Sequence, residues 1–334
     1  MRRGARRGAP PPHVRAQRGV AMIIALILVA LATMLAAKIG FDSYVERRRT
    51  TGVLATEQAL AFSMGAEAIA ADALVRSLQG NPNTTLADPW AQHVPPIPIT
   101  PENDPEGEPI GVLEGGLEDL QGRFNLNNLA RFDPATGKQD EEVLEEFQRL
   151  LMSLKLEPAW AQKVRDWLDA DDQPGIPDGA EDSVYMSLTP PSRAGNWPMV
   201  TPTELLAIPG FGPDRYRTLA PYVTALPTTL AKINICTASP YVLEMLGQNM
   251  SGEFTDSDAI TTGRKAGCYP DKSTFTTILG VSAAKAGPNF GTTSEFFRLT
   301  TRVTLGTTQF TLYSLLDRGA GGKVTPVLRT FGSP

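Results

Sequence analysis

The sequence predicts an α+β protein in which a long N-terminal helix precedes a small antiparallel sheet that is split by a large all-α insertion. Three patterns predict this arrangement: an unbroken apolar run near the N-terminus, apolar alternation towards both ends of the remaining chain, and helical periodicity between those ends. At 334 residues the chain is long enough for one large domain or two ordinary domains with a proper core.

The N-terminal segment is apolar enough to lie in a membrane. Between Val20 and Ala37 the only polar side chain is that of Thr33, and a helix of this length, at about 1.5 Å per residue, nearly crosses a hydrocarbon core of about 30 Å. An arginine-rich leader, residues 1–19, precedes it, and the positive-inside rule keeps such a leader in the cytoplasm. A cleaved secretory signal and a plain uncleaved anchor are two alternatives. The first is disfavoured because no clear helix break follows the apolar run, although alanines near residue 36 keep it open.

The first helix is predicted to continue well beyond the membrane segment. Residues 53–79 are rich in alanine and contain no proline, whereas Gly80, Asn81 and Pro82 form a stop signal. We therefore expect one helix over residues 20–79, with its membrane segment at 20–37.

Two β regions, residues 80–129 and 291–334, are predicted to form one body. In the first region a proline-rich loop leads into two short strands about a Gly115–Gly116 turn. In the second region residues 296–317 alternate across a turn at Gly306, and residues 323–331 provide a third strand.

The residues between the two β regions, 130–290, are predicted to form the helical insertion. Apolar side chains recur there on one face of two successive helices, which is typical of core packing rather than of ligand binding. They are Val143, Leu144, Phe147, Leu150, Leu151 and Leu154 in the first helix and Trp160, Val164, Trp167 and Leu168 in the second.

Composition argues against several classes of function. The net charge is −5, and the leader holds many of the arginines, so the remainder is still more acidic and poorly suited to bind polyanions. The two histidines, His13 and His93, provide no pair for a zinc site, and a Ser-His-Asp triad would have to rest on His93. Cys236 and Cys268 are not in CxxC spacing, and they are placed to form a disulfide if this part of the chain lies outside the cytoplasm.

An acidic loop over residues 166–185 is a candidate cation site. It packs seven carboxylates between glycines and prolines directly after a helix, and clustered carboxylates repel one another unless protons or a hard cation such as calcium neutralise them. The loop is not an EF-hand, because Gln173, Pro174 and Ala180 stand where that motif has an acid, a glycine and a glutamate. A solvated acidic loop without an ion is an equal alternative.

A second motif favours a different class of function. Residues 203–223, with IPGFG between two predicted helices, resemble a helix-hairpin-helix, which seats backbone amides on DNA phosphates. Its basic residues are Arg215 and Arg217 and its surroundings are acidic, so a packing unit of sterile-alpha-motif type is favoured. A membrane-anchored DNA-binding protein of the competence type is the second functional hypothesis. A metallohydrolase is the third hypothesis. It ranks last because neither a histidine nor a nucleophile accompanies the carboxylates.

Four stretches together resemble the K-type minor pseudopilins of the type II secretion system, and the resemblance covers essentially the whole chain. They are RGVAMIIALILVALATMLA from Arg18, DWLDADDQPGIPDGAED from Asp166, PMVTPTELLAIPGFGPDRYRTLAPYVTALP from Pro198 and INICTASPYVL from Ile233. The resemblance implies a non-enzymatic protein with a pilin-like sheet. It also implies cleavage by the prepilin peptidase between Gly19 and Val20, and methylation of Val20.

The resemblance also gives meaning to Ile24, the fifth residue after that cleavage point. Type IV pilins and pseudopilins usually have glutamate at this position, and its absence is a habit of the K type. We interpret Ile24 as the mark of a first subunit at the tip of a pseudopilus.

Finally, the resemblance implies two calcium ions, a set of partners and a location. The expected calcium ligands are Asp169, Asp171, Asp178, Glu181 and Asp182, with Asp172 and Asn196 as weaker candidates. The expected partners are the I-type and J-type minor pseudopilins, the major pseudopilin, the prepilin peptidase and the inner-membrane assembly platform, with no nucleic acid. The expected location is the bacterial inner membrane, crossed once, with the C-terminal domain in the periplasm at the pseudopilus tip.

Overall fold

The structure is a computed structural model that describes residues 18–101, 103–104, 106–133, 136–247, 257–264, 267–280, 289–319 and 321–332. Leader residues 1–17 lie outside the described residues. The chain forms two units, residues 1–57 and residues 58–334.

The first helix is long, as predicted. Helix α1 spans Arg18–Leu78, so it begins two residues before Val20 and ends one residue before Gln79. Among the described residues it is the one helix long and apolar enough to cross a membrane. The large apolar side chains of its membrane segment are exposed, and a helix that is apolar on all sides requires lipid or neighbouring helices around it.

The remaining helices and the strands of the described residues follow in chain order. The strands are β1 (Ile97–Ile99), β2 (Gly111–Asp119), β3 (Phe124–Asn125), β4 (Val223–Thr224), β5 (Ile233–Asn234), β6 (Phe290–Gly291), β7 (Phe296–Leu305), β8 (Thr308–Arg318) and β9 (Val324–Phe331). The helices are α2 (Glu141–Ser153), α3 (Trp160–Leu168), α4 (Asp182–Tyr185), α5 (Gly212–Leu219), α6 (Pro240–Glu244), α7 (Ser257–Thr262) and α8 (Lys272–Ile278).

Five strands form one antiparallel sheet in the order β1-β2-β7-β8-β9. The C-terminal hairpin is as predicted, because β7 and β8 pair across a turn in which Gly306 has a φ of +55°. The third strand of this region is β9, at the edge of the sheet. Side chains of β7 alternate towards the C-terminal part of α1, where Phe297 and Leu299 pack with Leu74 and Leu78.

The prediction of a turn at Gly115–Gly116 is wrong. Both glycines lie inside β2, which runs without interruption and pairs with β7 from Gly111 to Asp119. A Cβ atom at Gly115 would lie 2.8 Å from the carbonyl oxygen of Thr300 on β7, so this glycine allows close approach of the neighbouring strand rather than a reversal of the chain. The proline-rich loop also contains β1, which the sequence did not reveal.

The helical insertion lies between β2 and β7. Its core is formed by α2 and α3, and the side chains predicted for their apolar faces are buried or packed against that core. Phe147 of α2 stacks on Phe124 with ring centroids 5.0 Å apart. Two parallel pairs of two residues each, β3 with β4 and β5 with β6, join distant segments of this region. A disulfide between Cys236 and Cys268, with Cα atoms 4.4 Å apart, confirms the predicted pairing.

A buried polar network joins the sheet to the insertion where the chain leaves β2. One oxygen of Asp119 accepts hydrogen bonds from Asn234 (2.9 Å), Thr237 (2.5 Å) and Ser294 (2.6 Å). Burial raises the pKa of Asp119, and these hydrogen bonds act in the opposite direction. Since Ser294 lies just before β7, both ends of the insertion meet on one carboxyl group.

Candidate metal centre

The acidic loop lies between α3 and α4. Its first predicted ligand, Asp169, follows the last residue of α3, and Glu181 directly precedes α4, so each is held at the end of a helix. Gly175 and Gly179 lie between them, and the backbone N–H of Gly179 donates to the carbonyl of Gly175 (2.7 Å). The loop therefore turns back on itself and brings the two helix ends together.

Asp166, on the last turn of α3, holds this turn. Its side chain is fully buried. One carboxylate oxygen accepts the backbone N–H of Gly175 (3.0 Å) and that of Ala180 (2.8 Å), and the other accepts the side-chain amide of Gln162 (2.8 Å). Asp166 was not among the predicted ligands. The one sequence signal of its structural role is its place on the inward face of an amphipathic helix, close to the end of that helix.

Glu181 is the most unusual group in the loop. It is 1% exposed, and within the described part of the chain neither of its carboxylate oxygens has a hydrogen-bond partner. Burial, followed by the negative charges of Asp166 and Asp169, raises the pKa of Glu181 to about 7. A buried carboxylate without donors is costly unless a proton or a cation neutralises it.

Asp169 shares this environment. It is buried, and its Oδ2 accepts the side-chain amide of Gln139 (2.8 Å), whereas its Oδ1 has no partner in the described chain. Burial raises the pKa of Asp169 to about 6, and the charges of Asp171 and Asp166 act in the same direction. Asp169 and Glu181 thus form the part of the predicted ligand set in which buried oxygens lack donors.

The other predicted ligands are more exposed or already hydrogen-bonded. Asp171 accepts the backbone N–H of Gln173 (2.8 Å), and Asp182 accepts that of Ala194 (3.0 Å). Asp178 is exposed.

The weaker candidates, Asp172 and Asn196, contact each other, because the amide of Asn196 donates to Asp172 (3.1 Å). Asn196 also has a φ of +43°, and its side-chain oxygen has no partner among the described residues.

The oxygens left free in and beside the loop are of the type that a hard cation requires as ligands. Carboxylate oxygens of Asp169 and Glu181 and the amide oxygen of Asn196 are buried without donors, and calcium binds carboxylate, amide and backbone oxygens. Within the described residues, however, no three His, Cys, Asp or Glu side chains are grouped closely enough to hold a metal as they stand. The chemistry of the loop therefore fits calcium, while a complete ligand cage would require movement of the exposed carboxylates.

The segment that resembled a helix-hairpin-helix differs from the prediction. Its first half, Pro202–Ala207, is a 3-10 helix rather than an α-helix, and α5 forms the second half. Arg215 pairs with Glu157 (2.9 Å) and lies over the ring of Trp160, whereas Arg217 pairs with Asp214 (2.7 Å). Both arginines that could have contacted DNA phosphates are thus engaged with carboxylates.

The predicted processing site lies at the start of α1. Gly19, Val20 and Ile24 are all within the helix, and the side chains of Val20 and Ile24 are exposed. The segment is thereby positioned to present an apolar surface on every side.

Comparisons with known proteins agree with one another. The family described as "Type II secretion system (T2SS), protein K" matches residues 122–228. Type II secretion system protein K of Pseudomonas aeruginosa is 32% identical over 329 residues, which cover 95% of this chain and 94% of that protein. Protein K of Aeromonas hydrophila is 30% identical over 96% of this chain and 99% of its own length.

A solved structure extends the similarity to the fold. A chain in the crystal structure of the GspK-GspI-GspJ complex from the type 2 secretion system of enterotoxigenic Escherichia coli matches with a TM-score of 0.73 and 25% identity. The match covers 86% of this chain and 100% of the other. The names of this family, these relatives and this complex give no support for the DNA-binding alternative.

Proposed function

Since the chain belongs to the protein K family of the type II secretion system, the K-type minor pseudopilins, we propose that it is a non-enzymatic subunit at the tip of the pseudopilus. There it starts or caps assembly together with I-type and J-type minor pseudopilins, and the fibre that follows consists of the major pseudopilin. The chain is similar to one chain of the GspK-GspI-GspJ complex, and this similarity supports these partners.

The insertion is the observation that carries the tip assignment. It occupies the residues between Asp119 and Phe296, and thus interrupts a sheet whose strands β2 and β7 are paired neighbours. Subunits in the shaft of a fibre pack side by side, which leaves little room for a helical body of this size. A terminal position has no such restriction.

Ile24 supports the same position through electrostatics. A mature N-terminal amine in an apolar surrounding is a buried positive charge, which costs several kcal/mol without a partner. In other pseudopilins glutamate at the fifth mature position is thought to pair with the amine of the preceding subunit, and Ile24 is unable to make that pair. A first subunit loses nothing by this, because no amine precedes it.

The proposed location follows from the first helix. The leader is in the cytoplasm, where the prepilin peptidase cuts between Gly19 and Val20 and Val20 is methylated. The helix crosses the inner membrane once, and the C-terminal domain lies in the periplasm. The Cys236–Cys268 disulfide supports this location, since disulfides persist in the oxidising periplasm.

We also propose that the acidic loop binds calcium. Asp169 and Glu181 would supply the buried oxygens, the exposed Asp171 and Asp178 and the half-buried Asp182 would supply further ones, and Asp172 and Asn196 would support them; two ions are expected. A bound cation would remove the cost of the partnerless Glu181 carboxylate and hold the ends of α3 and α4 together.

Labelling of this subunit along purified pseudopili tests the tip assignment. Gold directed to the C-terminal domain should mark one end of each wild-type fibre, and Ile24→Glu should allow label at internal positions. Leu26→Ile serves as the matched control, because it changes the same helix without adding a carboxylate. An even distribution of gold along wild-type fibres would refute the tip assignment.

A further inference from the structure

The turn inside the acidic loop is built by a residue that is not among the proposed calcium ligands. Asp166 is fully buried, and its oxygens are occupied by donors from Gln162, Gly175 and Ala180. From this geometry we propose that Asp166 is a positioning residue, which forms the loop before any cation arrives and places Glu181 for binding. The inference rests on the proposed calcium site.

The hydrogen bonds of Asp166 determine where Glu181 lies. The N–H of Ala180, the residue directly before Glu181, donates to the Asp166 carboxylate at 2.8 Å. The N–H of Gly175 donates to the same oxygen at 3.0 Å, so the two ends of the turn are held at one atom. Because Glu181 directly precedes α4 as its N-cap residue, its backbone is held on both sides, and its side chain has little freedom to leave the buried position.

Two glycines are required by this arrangement. A Cβ atom at Gly179 would collide with the Asp166 carboxylate and with the backbone of Gly175, and one at Gly175 would collide with the side chain of Gln162. Neither glycine has a positive φ among those of the described chain. The requirement for glycine is therefore steric, and it results from the close approach of the loop to Asp166.

The inference separates two roles that a carboxylate can have near a cation. A ligand acts through its negative charge and its free oxygens, whereas a positioning group acts through hydrogen bonds to the backbone. Asparagine at position 166 retains an oxygen that accepts both N–H groups, and its amide can donate to Gln162 once the Gln162 amide turns over. Asp166→Asn therefore keeps the positioning function, whereas Asp166→Ala removes it.

Calcium titration of the full-length protein in detergent, after removal of metal by chelation, provides the first measurement. Asp166→Ala should weaken calcium binding about 10- to 100-fold, as is usual for residues that orient metal ligands, and Asp166→Asn should recover most of this loss. Gly179→Ala should weaken binding although every carboxylate remains. Gly116→Ala is the matched control, because a Cβ atom at Gly116 meets nothing within 4 Å, and its affinity should equal that of the wild type.

Hydrogen–deuterium exchange without calcium provides a second, independent measurement. Pro174 and Pro177 have no amide hydrogen, so a peptide over residues 173–181 reports mainly on the turn. The amides of Gly175 and Ala180 should be protected in the calcium-free wild type and in Asp166→Asn, and should exchange about tenfold faster in Asp166→Ala. Near-ultraviolet circular dichroism checks that each variant is folded.

Each outcome has a distinct meaning. Equal losses of affinity in Asp166→Asn and Asp166→Ala would show that Asp166 acts by charge and would overturn the positioning role. Rapid exchange of these amides in the calcium-free wild type would overturn it as well, even if calcium binds. A wild-type protein that binds no calcium would refute the proposed metal site and this inference together, whatever the exchange rates.

Discussion

Glu67 forms the principal polar contact between α1 and the sheet. It is 5% exposed, and its carboxylate accepts hydrogen bonds from Arg329 of β9 (2.9 and 2.7 Å) and from Ser314 of β8 (2.5 Å). Replacement by alanine removes all three hydrogen bonds. We predict that Glu67→Ala lowers the free energy of unfolding of the C-terminal unit.

The structure sets the size of the effect. Breaking a fully buried ion pair typically costs about 3–5 kcal/mol, but the Arg329 side chain is 40% exposed, so water can solvate the guanidinium after the change. We therefore expect a loss of about 2–3 kcal/mol. For a unit of this size that corresponds to a Tm lower by about 4–6 °C.

The effect depends on pH in a defined direction. Burial raises the pKa of Glu67, but hydrogen bonds from Arg329 and Ser314 and the charge of Arg329 outweigh it, so the pKa lies below its ordinary value of 4.5. A carboxyl with a lowered folded pKa contributes stability above the unfolded value and loses it as the pH falls through the folded value. The difference between the wild type and Glu67→Gln should therefore be full near neutral pH and shrink below 4.5.

Thermal unfolding followed by near-ultraviolet circular dichroism measures these differences. Asp72→Ala is the matched control, because it removes an exposed ion pair with Arg76 on the same helix, and such pairs contribute only about 0.3–0.5 kcal/mol. If Glu67→Ala lowers the Tm no more than Asp72→Ala, the contact of Glu67 with the sheet contributes nothing beyond a surface ion pair, and the reasoning is wrong.

Four further predictions follow from other parts of the molecule. Replacement of Cys236 and Cys268 by serine should destabilise the insertion by roughly 3–4 kcal/mol, since the disulfide closes a separation of 32 residues; an unchanged denaturation midpoint under non-reducing conditions would contradict this. Glu146 has a pKa raised to about 7 by burial, partly offset by a hydrogen bond from Asn289. Because the folded state then binds the extra proton, stability should fall as the pH rises from 4.5 through 7, and Glu146→Gln should flatten this dependence. Chelation should lower the Tm of the wild type but not that of Glu181→Ala. Identical wild-type melting curves with and without chelator would favour the alternative of a solvated acidic loop without an ion. Gly19→Val should leave an uncut precursor, and N-terminal sequencing of the wild type should begin at Val20; a start near Lys38 would indicate a signal peptidase.

Local patterns predicted the elements that local forces determine. The apolar faces of α2 and α3 were predicted residue by residue, and the β7–β8 hairpin was predicted from its alternation and its turn at Gly306, because periodicities of 3.6 and 2 residues are visible within each segment. The glycine pair in β2 was misread, since the requirement for glycine at position 115 comes from the carbonyl of Thr300 on a strand far along the chain. Sequence composition does not record which strand lies alongside.

The candidate site, too, was predicted only where the signal is local in the sequence. Clustering of carboxylates identified the acidic loop, but it did not distinguish Glu181, which is buried without a donor, from its neighbour Asp182, which accepts a backbone N–H. Nor did it identify Asp166, whose role depends on three donors brought together by folding. Which oxygens remain free is decided by backbone geometry over the loop and not by the residue types themselves.

The pairing of β2 with β7 has a consequence for how such a chain could have arisen. Asp119, the last residue of β2, faces Phe297 across the ladder, so the insertion leaves and re-enters the sheet at adjacent points. The helical region thus takes the place of a hairpin loop between β2 and β7, since these two strands pair antiparallel in one continuous register up to the point where the insertion begins. Segments can be added at such a connection without displacing the flanking strands. A helical region of this size can therefore be gained at a single connection while the five-stranded sheet and its packing against α1 are retained.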